Sequence, residues 1–240
     1  MIGLSAIYFL RIRKIRRQNE VDKKLAEMEM KALHAQMNPH FVFNCLNSIR
    51  EMILDNENEQ ASLYLSKFAA LIRITLNQSV KNFASLKDTI EYLKRYVEME
   101  FIRWNHFTYS ISVEEGLPVE EIMIPPMLIQ PFIENAIRHS AFPGNSVAID
   151  IVFSQKEGKL FCLVEDNGKG IKASLAAKQY QHKSVGIENV KQRMALINEK
   201  YKMQGRLNIM DRSDIPGNNQ TGTRVEIYLP FPTKSDIWKT

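Results

Sequence analysis

The apolar residues of this 240-residue chain change their spacing once, after Trp104, and that switch limits every fold open to it. Before it they recur every three or four residues: Ala61, Leu65, Phe68 and Ile72, then Leu86, Ile90, Leu93, Val97 and Phe101. That is the period of a helix with one buried face. After it, Val147, Ile149, Ile151 and Phe153 alternate with polar residues, the period of a half-buried strand. An all-helical or all-strand fold is therefore excluded. The spacing predicts helices over 61–72 and from 86 to 101, the second opened by a capping box at Ser85-Leu86-Lys87-Asp88. It predicts strands over 107–113, 147–153, 159–165, 205–211 and 223–229, with turns at 116–118 and Glu157-Gly158. Helices are predicted over 125–141 and 187–202. Strands joined by short turns, with helices grouped between them, predict a mixed sheet covered on one face, so the fold class is α+β.

With 45% hydrophobic and 25% charged residues the chain has an ordinary globular composition and enough material for a core. The length fits one large domain or two small ones. Its two cysteines, Cys45 and Cys162, are far apart in sequence, which argues against a disulfide framework or a cysteine-built zinc site and fits a reducing compartment. The net charge of +5 is local: residues 1–31 hold eight Lys/Arg against four Asp/Glu, and the other 209 are nearly balanced. A basic body made for direct nucleic-acid binding is not indicated.

Residues 2–10 are uncharged and RIRKIRR follows. Nine helical residues cover about 14 Å against a bilayer core of about 30 Å, so they cannot span alone. Apolar residues followed by Lys/Arg are the pattern of the cytoplasmic end of a transmembrane helix. The expectation is that residues 1–19 are the end of a span plus a basic juxtamembrane segment, and that the chain is the cytoplasmic part of a larger cell-membrane protein. The alternatives are a frayed amphipathic start or an anchor lying on anionic lipid. Val21, Leu25, Met28, Ala32 and Ala35, spaced 4, 3, 4, 3, form either a short coiled-coil seam between two copies or one helix face on its own core.

At Asn38-Pro39 the helical pattern is interrupted. Proline lacks an N–H and crowds the carbonyl four residues back, so the helix kinks here or restarts with Asn38 as N-cap. His40 then stands at a break, where a side chain is presented rather than packed. Phe41, Phe43, Leu46 and Ile49 are apolar neighbours. Residues 20–105 read as a helical hairpin or bundle, completed by a second copy of the chain.

In the later half, IENAIRHS (133–140) falls on a helix, VEDNGKGI (164–171) follows a strand, SVGIENVKQRM (184–194) opens a helix, and QTGTRVEIYLP (220–230) begins the last strand. No GxxxxGK[ST] is present and no GxGxxG follows a strand, so neither a P-loop nor a Rossmann fingerprint applies.

QMNPHFVFN, LIQPFIENAIRHS, EDNGKGI and VGIENVKQRM, in this order, resemble the LytS-type sensor histidine kinases, over roughly residues 30–232. EDNGxGI alone is shared with the wider GHKL ATPases (gyrase, Hsp90, MutL); the NPHFxFN segment is far more specific. The resemblance implies a helical dimerisation and phosphoacceptor domain over 20–105, a Bergerat-type ATP-binding domain over 106–232 with an α/β sandwich and mixed sheet, and a tail over 233–240. It implies ATP and Mg²⁺ as cofactors, a homodimer, and a response regulator, of LytTR type, as partner.

By the same resemblance His40 is the phosphoacceptor; His34, which lacks the motif, is its nearest rival. Asn135 matches the asparagine that ligates Mg²⁺, and a carboxamide oxygen is a hard ligand of the right kind. Glu134, before it, matches the water-activating glutamate of related ATPases; in a kinase that role would compete with phosphotransfer and stays open. Arg138 and His139 match a basic pair facing the phosphates, although His139 is equally a surface residue. Asp166 matches the carboxylate that accepts from the adenine amino group. Gly168 and Gly170 would turn the backbone against the base. Gly186 and Asn189 match a box at a helix start where phosphate meets free N–H groups. Thr223 belongs to the last Gly-rich piece. Residues 172–183, with Lys172, Lys178, His182 and Lys183, match the lid. Ser184 stands where the family has glycine, and Phe41 stands where other histidine kinases carry the acidic general base.

The reading is ATP-dependent autophosphorylation and transfer to a response regulator aspartate. One alternative is a GHKL ATPase clamp, which needs a further domain after the ATP site, where ten residues follow Pro230. The other is a membrane-anchored dimer that binds ATP without transferring phosphate.

Overall fold

The computed structural model describes residues 11–13, 39–79, 81–104, 107–140, 147–176, 185–217 and 220–230; the side chains of 39–40, 79, 139–140, 174–176 and 185 are not described. The remainder of the apolar-basic segment, the seam from Val21 to Ala35 with His34, Asn38, Lys178, His182, Lys183, Ser184 and the tail from Thr233 lie outside the described residues. Among the described residues no helix is long and apolar enough to cross a membrane.

Helix α1 (Pro39–Leu54) is followed by α2 (Asn58–Ser79) after a three-residue connection in which Asn56 takes a positive φ of 63°, a conformation asparagine tolerates. The short link folds α2 back on α1. Phe41, Cys45 and Ile49 face Ala61, Tyr64 and Leu71 in the shared core. The buried face of α2 therefore runs Ala61, Tyr64, Phe68, Leu71, Thr75, Gln78, not along the expected Ala61, Leu65, Phe68, Ile72 stripe. A tyrosine, a threonine and a glutamine occupy buried positions, so a count of apolar residues misplaces the face. Leu65 and Leu76 are left exposed, as are Phe43, Leu46, Ile53 and Leu54 on α1. The Tyr64 hydroxyl donates to Cys45 Sγ at 3.5 Å, and burial pushes the Cys45 thiol up to about 11.

A two-residue strand β1 (Ala84–Ser85) leads into α3 (Leu86–Arg103) and pairs antiparallel with β3 (Met123–Ile124). The expected cap forms: Ser85 Oγ accepts from the Asp88 N–H at 3.0 Å. α3 is buried on two sides. Leu86, Ile90, Leu93 and Val97 follow the expected stripe, and Tyr92, Tyr96, Met99 and Glu100 are buried as well. A helix buried this widely lies between two layers. It meets α1 through Phe41 and Tyr96, whose ring centroids are 5.4 Å apart, and α2 through the Lys67–Glu98 ion pair at 2.5 Å. Phe101 at its end meets Phe107 edge-on.

Strands β2 (Phe107–Val113), β4 (Val147–Lys156), β5 (Lys159–Asp166), β6 (Arg206–Asp211) and β7 (Thr223–Pro230) form one sheet in the order β2-β4-β5-β7-β6. β2 and β4 are parallel and every other pair is antiparallel, so the sheet is mixed as expected. The β4–β5 hairpin turns on Glu157 and Gly158, both with positive φ, the twist that two-residue hairpins need. Register aligns Ile111, Ile151, Val164, Val225 and Ile209 in one row of the inner face. The outer face carries the charged ladder Arg212, Glu165, Arg224 and Glu226.

The inner face packs against α4 (Gln130–Ser140) and α6 (Val185–Tyr201), and the short α5 (Gly170–Ala176) lies beside β6. α4 begins at Gln130 and not at the expected 125. Pro125 and Pro126 remove two N–H donors, and Met127 sits at a positive φ of 58°, so the helix cannot start until these residues are passed.

Candidate active site

The site is built where β5 ends. Asp166 closes that strand opposite Ile149 of β4, and β6 ends at Asp211 opposite Thr223 of β7. Two carboxylates thus come to the same end of the sheet. Asp166 is buried; its Oδ1 accepts from the N–H of Gly168 at 2.9 Å and of Thr223 at 3.2 Å. Burial pushes its carboxyl above the ordinary range, opposed by those two N–H groups, the Thr223 hydroxyl and the Arg212 guanidinium. Arg212 also donates to the Asp166 carbonyl at 3.2 Å. Asn167 pins the strand end: its side chain accepts from the Ala148 N–H at 2.7 Å.

Two glycines are required by close approach. Gly222 has a φ of +129°, and a Cβ there would lie 1.9 Å from the Asp166 carbonyl oxygen. Gly170 has a φ of +80°, and its Cβ would lie 2.5 Å from Asp211 Oδ2. Gly170 therefore makes room for a carboxylate as well as lining the cleft. Burial acts to raise the Asp211 carboxyl, but the N–H of Lys172 and the hydroxyl and N–H of Ser213 outweigh it, and the net shift is downward. Asp211 in this way ties the start of α5 to the sheet, and Lys172 adds an ion pair with Asp214.

Between α4, α6 and this sheet end lies a cleft of about 290 Å³, lined by Asn135, Asp166, Gly170, Thr223 and Lys191 together with Phe132, Ala136, Val164, Ile171, Ile187, Ile209 and Val225. An apolar slot with one buried acceptor at its floor suits a flat heteroaromatic ring bearing an amino group. The carboxamide of Asn135 supplies an oxygen of the kind Mg²⁺ takes beside phosphate and water.

Among the residues singled out from the sequence, Asn135, Asp166, Gly170 and Thr223 meet in this cleft and Gly168 adjoins it. Gly186 sits in the first turn of α6, where a Cβ would lie 3.4 Å from Pro131 Cβ of α4. Asn189, half-buried on α6, is not among the lining residues. Arg138 is exposed. Glu134 turns away from the cleft: Gln130 Nε2, one turn earlier on α4, donates to it at 3.1 Å, and the Tyr96 hydroxyl of α3 lies against it. A water-activating position in the cleft is therefore not where its carboxylate lies. The backbones of His40 and His139 are helical, and their side chains are not described. Sequence reasoning missed Lys191, Asp211, Arg212 and Gly222 as site residues. Lys191 follows Ile187 by one helical turn, a usable signal; Asp211 and Arg212 enter only through strand register.

Comparison with known proteins then fixes the class. Residues 28–107 match the histidine kinase family model, and residues 126–233 match the family of histidine kinase-, DNA gyrase B- and HSP90-like ATPases. The sensor histidine kinase YesM of Bacillus subtilis (strain 168) is 29% identical over 227 residues, covering 92% of this chain and 36% of that protein. The sensor protein LytS of Enterococcus faecalis (strain ATCC 700802 / V583) is 33% identical over 173 residues, covering 70% and 28%. Among solved structures, the histidine kinase domain from the Erythrobacter litoralis EL346 blue-light activated histidine kinase aligns with a TM-score of 0.46 at 19% identity, covering 89% of this chain and 96% of that one. A histidine kinase segment joined to an ATPase domain is what the two family models define. The chain belongs to the LytS-type sensor histidine kinases. It spans about a third of the length of the curated relatives it matches.

Proposed function

We propose that this chain phosphorylates itself on His40 from ATP and passes the phosphoryl group to an aspartate of a response regulator. The observation that carries the reading is the convergence of Asn135, Asp166, Gly170 and Thr223 on one cleft, downstream of the NPHFVFN segment. Asp166 accepts from the adenine amino group while its other bonds hold Gly168 and Thr223. Asn135 would hold Mg²⁺, which when bound neutralises phosphate charge. Gly186, Asn189 and His139 then lie toward the phosphates, with the 172–183 segment as lid. A ring nitrogen of His40 attacks the γ-phosphorus, the bond to the bridging oxygen breaks, ADP leaves, and the ring loses its proton. Imidazole suits this step because, with an unperturbed pKa of about 6.5, it is mostly neutral at pH 7. The phosphoryl group then moves from nitrogen to a carboxylate oxygen of the regulator, which we read as LytTR-type.

Residues 20–105 act as the dimerisation and phosphoacceptor domain and 106–232 as the ATP-binding domain. The exposed apolar face of the hairpin, with Phe43 at 65% and Leu54 at 70% exposure, supports a homodimer. Residues 1–19 attach the chain to the cell membrane, with the rest in the cytoplasm.

The 240-residue chain incubated with γ-labelled ATP tests the reading. The wild type should take up label that survives base and is lost in acid, as a phosphoramidate is. His40→Gln should bind ATP and take up none, and His34→Gln should label. Equal labelling of His40→Gln, or acid-stable label, would overturn the mechanism. Release of free phosphate alone would indicate an ATPase clamp, and binding without either would indicate a non-catalytic dimer.

A further inference from the structure

Two neighbouring residues of α4 face different ways. Asn135 lines the cleft, while Glu134 enters the seam between α4 and α3. There Glu134 joins a buried polar network. Gln130 Nε2 donates to Glu134 Oε1 at 3.1 Å, and the Tyr92 hydroxyl donates to Gln130 Oε1 at 2.7 Å. The Tyr96 hydroxyl lies against the Glu134 carboxylate, and Thr75 of α2, whose own hydroxyl donates to the Leu71 carbonyl at 2.8 Å, flanks the Tyr92 hydroxyl from the other side. Thr75, Tyr92, Tyr96 and Gln130 are all buried. The Tyr96 ring also packs on Phe41, the residue after His40.

Buried polar groups are costly unless satisfied, and apolar side chains would fill this seam at no such cost. What hydrogen bonds add over apolar packing is direction. Gln130 and Glu134 are one turn apart on one face of α4, so bonds to both fix how the helix is rolled about its axis. Asn135, one residue on, is rolled with them. The same two tyrosines reach the hairpin, Tyr92 at Thr75 and Tyr96 at Phe41.

Resting on the kinase reading above, we propose that Glu134 is a positioning residue and not a general base. With Gln130, Tyr92 and Tyr96 it sets the roll of α4, and so the aim of Asn135, against the hairpin that carries His40.

The test is autophosphorylation rate against ATP concentration in the 240-residue chain, with fluorescent ATP-analogue binding and thermal melting alongside. Tyr96→Phe and Tyr92→Phe remove one oxygen each. Both should bind the analogue within about threefold of wild type, yet lose about tenfold or more in saturating rate, since small misplacements cost rate rather than affinity. Glu134→Ala should lose more. Glu134→Gln should recover most of that loss, because the amide oxygen still accepts from Gln130 and the side chain keeps its shape. If Glu134→Gln is as inactive as Glu134→Ala while both tyrosine variants keep the wild-type rate, the carboxylate is acting as a base and the inference fails. Loss of affinity, melting temperature and rate in parallel in the tyrosine variants would reduce the network to fold stability and also overturn it. Should Glu134→Ala not fold, the two tyrosine variants decide alone. A wild type that takes up no acid-labile phosphate overturns the kinase reading and this inference with it; an active wild type with tyrosine variants at full rate overturns the inference alone.

Discussion

The end of the sheet and the helical hairpin solve opposite problems. At the sheet end, register brings strand termini together so closely that one carbonyl oxygen and one absent Cβ share the same space, at Asp166 and Gly222. Donors there converge on buried carboxylates, which need no second chain to be satisfied. On the hairpin, one face is buried among α1, α2 and α3, while the opposite face exposes Phe43, Leu46, Ile53 and Leu54. The difference is that the cleft at the sheet end is closed by bonds within one chain, whereas the hairpin leaves an apolar face uncovered.

Mutations can break that comparison from either side. Gly222→Ala should have the largest effect: the added methyl meets a backbone oxygen and the φ of +129° disfavours any Cβ. Urea unfolding should show a loss of about 3 to 5 kcal/mol, with ATP-analogue binding gone. A loss under 1 kcal/mol would mean the sheet end is not tightly fixed. On the hairpin, Leu46→Glu with Ile53→Glu places charge on the exposed face, one heptad apart. Light scattering should show the dimer dissociating about a hundredfold more readily, since an unpaired buried charge costs several kcal/mol. ATP-analogue affinity should stay unchanged. An unaltered assembly would show that this face does not join two copies.

Smaller effects sharpen the picture of the cleft. Asp166→Asn should weaken ATP-analogue binding about tenfold to a hundredfold, because a hydrogen bond to a charged acceptor is worth about 1.5 to 3 kcal/mol. Melting should change little, since the amide oxygen still accepts from Gly168 and Thr223. Equal affinity would remove Asp166 from the adenine pocket.

The smallest effect is the response to pH. The folded value of Asp166 is raised, so its carboxylate begins to protonate above the ordinary value of about 3.9. Adenine needs the ionised acceptor, so affinity should fall as pH drops through that raised value, and Asp166→Asn should flatten the profile. For the fold the sign is reversed: a raised carboxyl costs stability when ionised and costs less once protonated. Asp211 is lowered, so its contribution to stability is present above about 3.9 and is lost only as pH falls through its folded value. Affinity should therefore decline before the part of stability that depends on Asp211. Simultaneous loss would mean that binding follows unfolding.

The sequence by itself determined the switch of architecture after Trp104, five strands to within a few residues, the Ser85 cap and the family, because period, capping and local motifs act over a few neighbouring residues. It misplaced the start of α4, where two prolines and the positive φ of Met127 delay the helix. It misread the buried face of α2, where Tyr64, Thr75 and Gln78 are core residues that no apolar count includes. Asp166 was legible from its motif, but that Gly222 must be glycine to cross it, and that Gly170 must leave room for Asp211, depend on pairings some 40 to 60 residues apart in the chain. The facing of Glu134 needed tertiary structure as well. The Gln130 bond is local to α4, but only the packing of α3 against α4 brings Tyr96 to the carboxylate and leaves Asn135, its neighbour, to the cleft.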